Sequence, residues 1–197
     1  MKVVNIYLLR HGALEKSGVL AGHTDLELSE LGWQQMLSAV EPLNITKCFS
    51  SSLKRCYLFA QQFCQQESLD LNVDDALKEM NFGKWDGLSY EELWQKSEPN
   101  IGHFWQNPEE VTPPGGETFA EFNHRIRKWW LQLIDHPEPN NILVISHAGV
   151  IKQIMALVID ESSGHSLHSK FNVMYGSVVH IQLSFDEFHQ PWPVIML

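Results

Sequence analysis

Residues 3–14 read VVNIYLLRHGAL, and the break inside this stretch decides the fold. Residues 3–9 form an apolar run of strand length, too short for a helix. A strand apolar on both faces belongs inside a parallel sheet covered by helices on each side. The run then stops at Arg10, His11 and Gly12. A strand that needed only to end could do so with Asn, Asp, Gly or Pro. A permanent cation beside a titratable imidazole, where the backbone leaves the core, implies that something negative binds there.

Working outward, SELGWQQMLSAVEPL (29–43) places Leu31, Met36, Leu37 and Val40 at helical spacing behind Ser29, a good N-cap residue. ITKCFSSS (45–52) reads as a short strand. LKRCYLFAQQFCQQ (53–66) reads as a helix with Leu53, Cys56, Phe59, Ala60 and Phe63 on one side. LDLNVDDAL (69–77) suggests another strand, and FGKWDGLSY (82–90), with two glycines, a functional loop or tight turn. From there to TPPGGE (112–117) the chain is rich in Trp, Pro, Asn and Glu, as expected of an insertion, about residues 84–116, capping one end of the sheet. GGETFAEFNHRIRKWWLQLID (115–135) is the longest helical pattern, with Phe119, Phe122, Ile126, Trp129 or Trp130, and Leu133 on its apolar face. NNILVISHAGVIKQIMALVID (140–160) reads as strand, turn and helix, and FNVMYGSVVHIQLSF (171–185) closes with strand character. Alternating strands and helices predict one α/β domain over residues 1–197. It is a three-layer sandwich whose central, mostly parallel sheet is flanked by helices.

The bulk numbers narrow the function. Of 197 residues, 44% are hydrophobic and 19% charged, enough apolar material for a sizeable core. The net charge of −10 argues against a nucleic-acid or anionic-membrane partner, both of which need a basic surface. Cys48, Cys56 and Cys64 are odd in number and form no CxxC pair, so reduced thiols in a cytoplasmic protein are expected. No signal-peptide pattern is evident, and no apolar run approaches the ~20 residues of a membrane span. His165 and His168 are close-spaced but lack Cys or carboxylate companions, so no metal site is expected.

Ligands of parallel sheets bind beyond the carboxyl ends of the strands. If the strands before Arg10, Arg55 and His147 run parallel, two guanidiniums and two imidazoles converge there, beside the helix N-terminus that begins near Ala148. Such a cradle suits a phosphoryl group, whose oxygens match the planar fork of Arg. A neutral imidazole can itself attack phosphorus. His11 fits that role, because Gly12 lets the backbone approach closely. Glu79, before a glycine-containing turn, is the candidate general acid, since a carboxyl beside a phosphate dianion favours its protonated form. Asp86, Glu91 and Glu92 compete with it but read better as surface or capping groups. Singly, Arg10 could be a salt-bridge partner, Arg55 a solvated helix charge and His147 a helix cap. All five at element boundaries favour an enzyme.

The segments LLRHG, SSLKR, LKEMNFGKWDG and NILVISHAGVI together resemble the histidine phosphatase superfamily, which includes the cofactor-dependent phosphoglycerate mutases. The resemblance runs from Val3 to Val179 and implies a phosphoglycerate mutase-like fold. It implies phosphorylation of His11, phosphoryl binding by Arg10, Arg55 and His147, and Glu79 as acid and then base for water. Gly12, Ser17, Gly22, Thr24 and Ala148 would add substrate contacts. GHTDLELSELG, EMNFGKWDG and PGGETFAEFNHRI look most like the alpha-ribazole phosphatases. ALEKSG, with Ser17 near the position of a phosphate-touching Asn, departs from the mutases, which must hold substrate in two orientations. The resemblance implies no cofactor or metal, a small-molecule phosphate ester as partner, and neither nucleic acid nor membrane; homodimerisation is left open. A mutase, a sugar-bisphosphate phosphatase and a non-catalytic phospho-ligand module stay as alternatives. The aromatics Trp85, Trp94, Phe104 and Trp105 of the expected cap either form a satellite core or stack on a benzimidazole-like ring.

Overall fold

A computed structural model describes residues 3–95, 101–135, 141–159 and 170–196. In chain order the elements are β1 (Val3–Arg10), α1 (Glu30–Val40), β2 (Lys47–Ser50), α2 (Lys54–Glu67), β3 (Leu71–Val73), α3 (Tyr90–Gln95) and α4 (Ile101–Gln106). They continue with α5 (Phe119–Asp135), β4 (Asn141–Ser146), α6 (Ala148–Val158), β5 (Val178–Phe185) and β6 (Pro191–Met196). One six-stranded sheet has the order β3-β2-β4-β1-β5-β6. β1, β2, β3 and β4 pair in parallel, and β5 runs antiparallel to both β1 and β6. The chain is thus the expected α/β sandwich with a mixed sheet.

Alternation along the strands divides the core into two. Val4, Ile6 and Leu8 of β1 pack with Ile142 and Val144 of β4 against the buried faces of α5 and α6. Leu9, Leu143 and Ile145 point to the opposite side, against Met36 and Val40 of α1 and Cys56, Phe59, Ala60 and Phe63 of α2. Each large side chain buried in this way contributes roughly 1.5–3 kcal/mol of transfer free energy.

The helix starts are built locally. The Ser29 hydroxyl accepts from the Gly32 amide at 3.1 Å, capping α1. Thr118 and Glu121 form a reciprocal capping box before α5, and Ser89 and Glu92 form one before α3. Asp74 caps the 3₁₀ turn Asp75–Leu77, which ends β3 early and leaves only three of the nine residues 69–77 as strand.

Two expectations change. The buried stripe of α1 is Gly32, Met36 and Val40, an i, i+4, i+8 row; Leu31 lies off it and is 62% exposed. β6 was not expected, because Pro191 and Pro193 argue against a strand. It occupies the sheet edge, where a missing N–H costs no ladder bond on the solvent side.

Candidate active site

β4 lies between β2 and β1, so the carboxyl ends of three adjacent parallel strands open onto one place. The ladder continues past the strands, since the His11 amide donates to the Ser146 carbonyl and the Ser51 amide to the Ile145 carbonyl, both at 3.0 Å. Gly12 passes so close to α1 that a Cβ there would lie 2.1 Å from the Gly32 carbonyl oxygen. Its role in this structure is backbone packing that sets the position of His11.

His11 is buried, and its Nδ1 lies 2.8 Å from the Gly12 carbonyl. A carbonyl only accepts, so Nδ1 carries the proton and Nε2 the lone pair. Burial, then the Arg55 and Arg10 charges, hold the imidazole well below the usual histidine range, keeping it neutral. His147 stands edge-on to it, with ring centroids 5.2 Å apart. Its Nδ1 accepts from Arg55 Nε at 3.2 Å, so its Nε2 carries the proton and donates to Ser51 Oγ at 2.8 Å. Burial, then Arg55, likewise keeps His147 neutral. The Cys56 thiol lies against the same ring, 3.7 Å from Nε2, and burial pushes it up to about 12.

Arg55 is fully buried and holds the 21–24 loop, donating to the carbonyls of Thr24 (2.9 Å), Ala21 (3.1 Å) and Gly22 (2.6 Å). Asp86 braces that loop from the other side. Its Oδ1 accepts from the Gly22 and Thr24 amides and its Oδ2 from the Phe82 amide. Gly22 fits where a Cβ would strike the Met80 carbonyl at 2.4 Å.

Glu79 reaches the cluster from the segment between the 3₁₀ turn Asp75–Leu77 and a second one, Gly83–Trp85. Its carboxylate accepts from the Met80 and Gly149 amides, each at 3.0 Å, which ties it to the first turn of α6. Gly149 is required there, because a Cβ would sit 2.3 Å from Glu79 Oε1. The Glu79 carbonyl accepts from His23 Nε2 and from Arg125 Nη2, each at 3.0 Å. Arg125 also donates to the carbonyls of Ala76 and Lys78 and pairs through two nitrogens with Glu117. Glu117 in turn accepts from the Asn81 amide at 2.7 Å. One half-buried ion pair therefore fixes the backbone on both sides of the acid.

A cavity of about 270 Å³ opens over these groups. Arg10, His11, Glu79, Ala148, Gly149 and Lys152 supply its polar lining; Phe82, Tyr90, Phe104, Trp105, Phe119 and Phe122 supply an aromatic wall. Arg55 and His147 are not among the lining residues; His147 stands edge-on to His11, and Arg55 donates to His147. Gly12, Gly22 and Thr24 are also framework in this structure, and Ser17 is exposed outside the lining. Of the four aromatics read from sequence, Phe104 and Trp105 line the cavity; Trp85 is buried in the core and Trp94 is 59% exposed. Sequence reasoning missed Lys152, Tyr90, Tyr175 and Arg125. Lys152 follows Gly149 by three residues and Ala148 by four, so the helical period already placed it on their face. His165 and His168 lie outside the described residues. Among the described residues no three groups cluster to hold a metal ion, and no helix is long and apolar enough to cross a membrane.

The chain is 35% identical over 165 residues to a bifunctional protein of Mycobacterium tuberculosis. That match covers 81% of the chain and 45% of the relative, so the chain spans under half the length of that protein and of the two uncharacterized mycobacterial proteins that match the chain equally well. It is 24% identical over 187 residues to the adenosylcobalamin/alpha-ribazole phosphatase of Escherichia coli, with 92% of each covered. The native structure of mycobacterial glucosyl-3-phosphoglycerate phosphatase superposes with a TM-score of 0.84 at 23% identity, over 100% of this chain and 98% of that one. The sequence profile of the histidine phosphatase superfamily (branch 1) matches residues 6–190, nearly the whole chain, and to that superfamily the chain belongs.

Proposed function

We propose that the chain is a metal-independent phosphomonoesterase that works through a phosphohistidine at His11 Nε2, with alpha-ribazole 5'-phosphate as its leading substrate. The observation that carries this reading is the Nδ1 bond of His11 to the Gly12 carbonyl, which leaves a neutral Nε2 for the cavity where Glu79 also stands. In the first step Nε2 attacks phosphorus, the ester P–O bond breaks, and the leaving oxygen takes the proton of the Glu79 carboxyl. In the second, Glu79 takes a proton from water as that water attacks the phosphohistidine, releasing inorganic phosphate and restoring Nε2. Arg10 and the Ala148 amide at the start of α6 face the phosphoryl oxygens, and the buried Arg55 adds positive charge near the nucleophile. Both catalytic protons are handled by side chains of this chain, so the scheme calls for no metal.

The aromatic wall supports a flat, apolar leaving group of the benzimidazole kind over a bare glycerate. Lys152 on the cavity lining favours a second reading, an ester with a further anionic group such as phosphoglycerate. A turnover screen separates the two. Alpha-ribazole phosphate should show a higher kcat/KM than 3-phosphoglycerate or fructose bisphosphate, with free phosphate as product, and EDTA should not slow it. Isomerised phosphoglycerate would instead identify a mutase. His11→Ala should lose about a thousandfold or more on every ester; undiminished phosphate release by that variant would overturn the nucleophile.

A further inference from the structure

We propose that Tyr175 is a positioning residue that fixes the Arg10 guanidinium for the phosphoryl group; this rests on the phosphomonoesterase reading above. Tyr175 sits in a tight turn whose Ser177 amide donates to the Met174 carbonyl at 3.1 Å. The third turn residue, Gly176, has φ +67°, the left-handed conformation that glycine adopts without strain. The turn is stitched to the backbone of the catalytic pair. The Gly176 amide lies 3.2 Å from the carbonyls of both Arg10 and His11, and the Arg10 amide donates to the Ser177 carbonyl at 3.0 Å. This puts the Tyr175 ring over Arg10, with the guanidinium carbon 3.9 Å from the ring centroid, and 5.5 Å from the His11 ring.

The guanidinium is thereby held on two sides. The phenol ring covers one face, and the Val173 carbonyl accepts from Nη1 at 2.6 Å on one edge. A ring on the face does not compete for the in-plane N–H groups, which are the ones that fork onto phosphate oxygens. The edge away from Nη1 carries Nε, a buried donor with no hydrogen-bond partner among the described residues. A phosphoryl oxygen arriving in the guanidinium plane would satisfy it. Tyr175 lines the cavity and is 42% exposed, so its contacts with Arg10 and His11, rather than core packing, account for its place.

The test compares Tyr175→Ala, Tyr175→Leu and Tyr175→Phe with the parent chain. Inorganic phosphate affinity is measured by calorimetry, kcat and KM with p-nitrophenyl phosphate, and folding by thermal unfolding. Removing the ring should weaken phosphate binding and raise KM by roughly three- to thirtyfold, with a smaller change in kcat. Leu, which covers the same surface without a π face, should behave like Ala, and Phe should restore affinity to within about twofold. Parent-like phosphate affinity in Ala, or in Leu, would overturn the proposal while leaving the phosphomonoesterase reading intact. A parent chain that neither binds phosphate nor hydrolyses any ester would sink that reading, and this proposal with it.

Discussion

At Glu79 each carboxylate oxygen accepts one backbone N–H, from Met80 and from Gly149. Such bonds tie the carboxylate to its own backbone and to the first turn of α6. Replacement by Gln removes the transferable proton and also one acceptor, since an amide nitrogen cannot receive an N–H. The two losses are separable by leaving group. Loss of the proton should slow esters of poorly acidic alcohols by about 10²–10⁴-fold, and p-nitrophenyl phosphate, whose leaving group needs little protonation, far less. Steady-state kinetics of Glu79→Gln on both kinds of ester decide it. Equal slowing would assign the defect to the lost tether rather than to the acid. Arg10, His11 and His147 stand out in the sequence because an apolar strand gives way to them next to a glycine or a helix start. Arg55, in the first turn of α2, and Glu79, between Lys78 and Met80, are read only as members of the set. Tyr175 and Arg125 were not legible. Their importance comes from contacts 165 and 46 positions away along the chain, with Arg10 and Glu79, and no local pattern encodes such a meeting.

At the scale of elements, the junction of β1 with α1 carries the tightest packing near the site. A Cβ at Gly32 would lie 2.1 Å from the Ala13 carbonyl, and one at Gly12 equally close to the Gly32 carbonyl. Backbone meets backbone here, so no side chain can swing aside. Gly32→Ala should destabilise the fold by about 1–3 kcal/mol or more through overpacking, and should lower kcat as well, because the displaced strand end carries Arg10 and His11. Gly18 is the control. It has φ +71° but open space around its Cα, so Gly18→Ala carries the conformational penalty alone, about 1 kcal/mol. Urea unfolding of both variants tests the pair, and a Gly32→Ala protein as stable as Gly18→Ala would refute the packing account. The same junction shows what periodicity could and could not give. The strand before Arg10 and the helix after Ser29 follow from pattern and cap. Of the stripe read for α1, Met36 and Val40 are buried but Leu31 and Leu37 are exposed, and the closest contact belongs to Gly32, invisible to a search for apolar side chains. β6 escaped for a related reason, since a proline signals an edge strand only once the edge is known.

Across the whole molecule, a chain of net charge −10 gathers two guanidiniums and two imidazoles at the end of one sheet. Burial first, and Arg55 next, push both His11 and His147 well below the ordinary histidine value of 6.5, so both fold as neutral rings. In the unfolded chain each takes up a proton near pH 6.5. Below that pH the unfolded state therefore binds more protons than the folded one, and stability falls as pH falls. The contribution is complete above about pH 6.5 and is lost progressively from there down toward the folded values, at up to about 2.7 kcal/mol per pH unit for two such groups. Asp75 is held low by Ser52 and Lys78, and Glu121 by Thr118, with the same sign. Those carboxylates titrate near pH 4 and below and leave the higher window to the histidines. Urea unfolding at pH 7.5 and 5.5 should show a marked loss for the parent chain and a smaller one for His147→Asn, which leaves His11 and the partly buried His180, also held low by burial, as the remaining such rings. A parent chain equally stable at both pH values would mean that the rings are not held neutral. The same burial bears on rate, since a nucleophile kept unprotonated in the free enzyme stays competent below pH 6.5. The acid side of the kcat/KM profile should then show no inflection near that pH from His11.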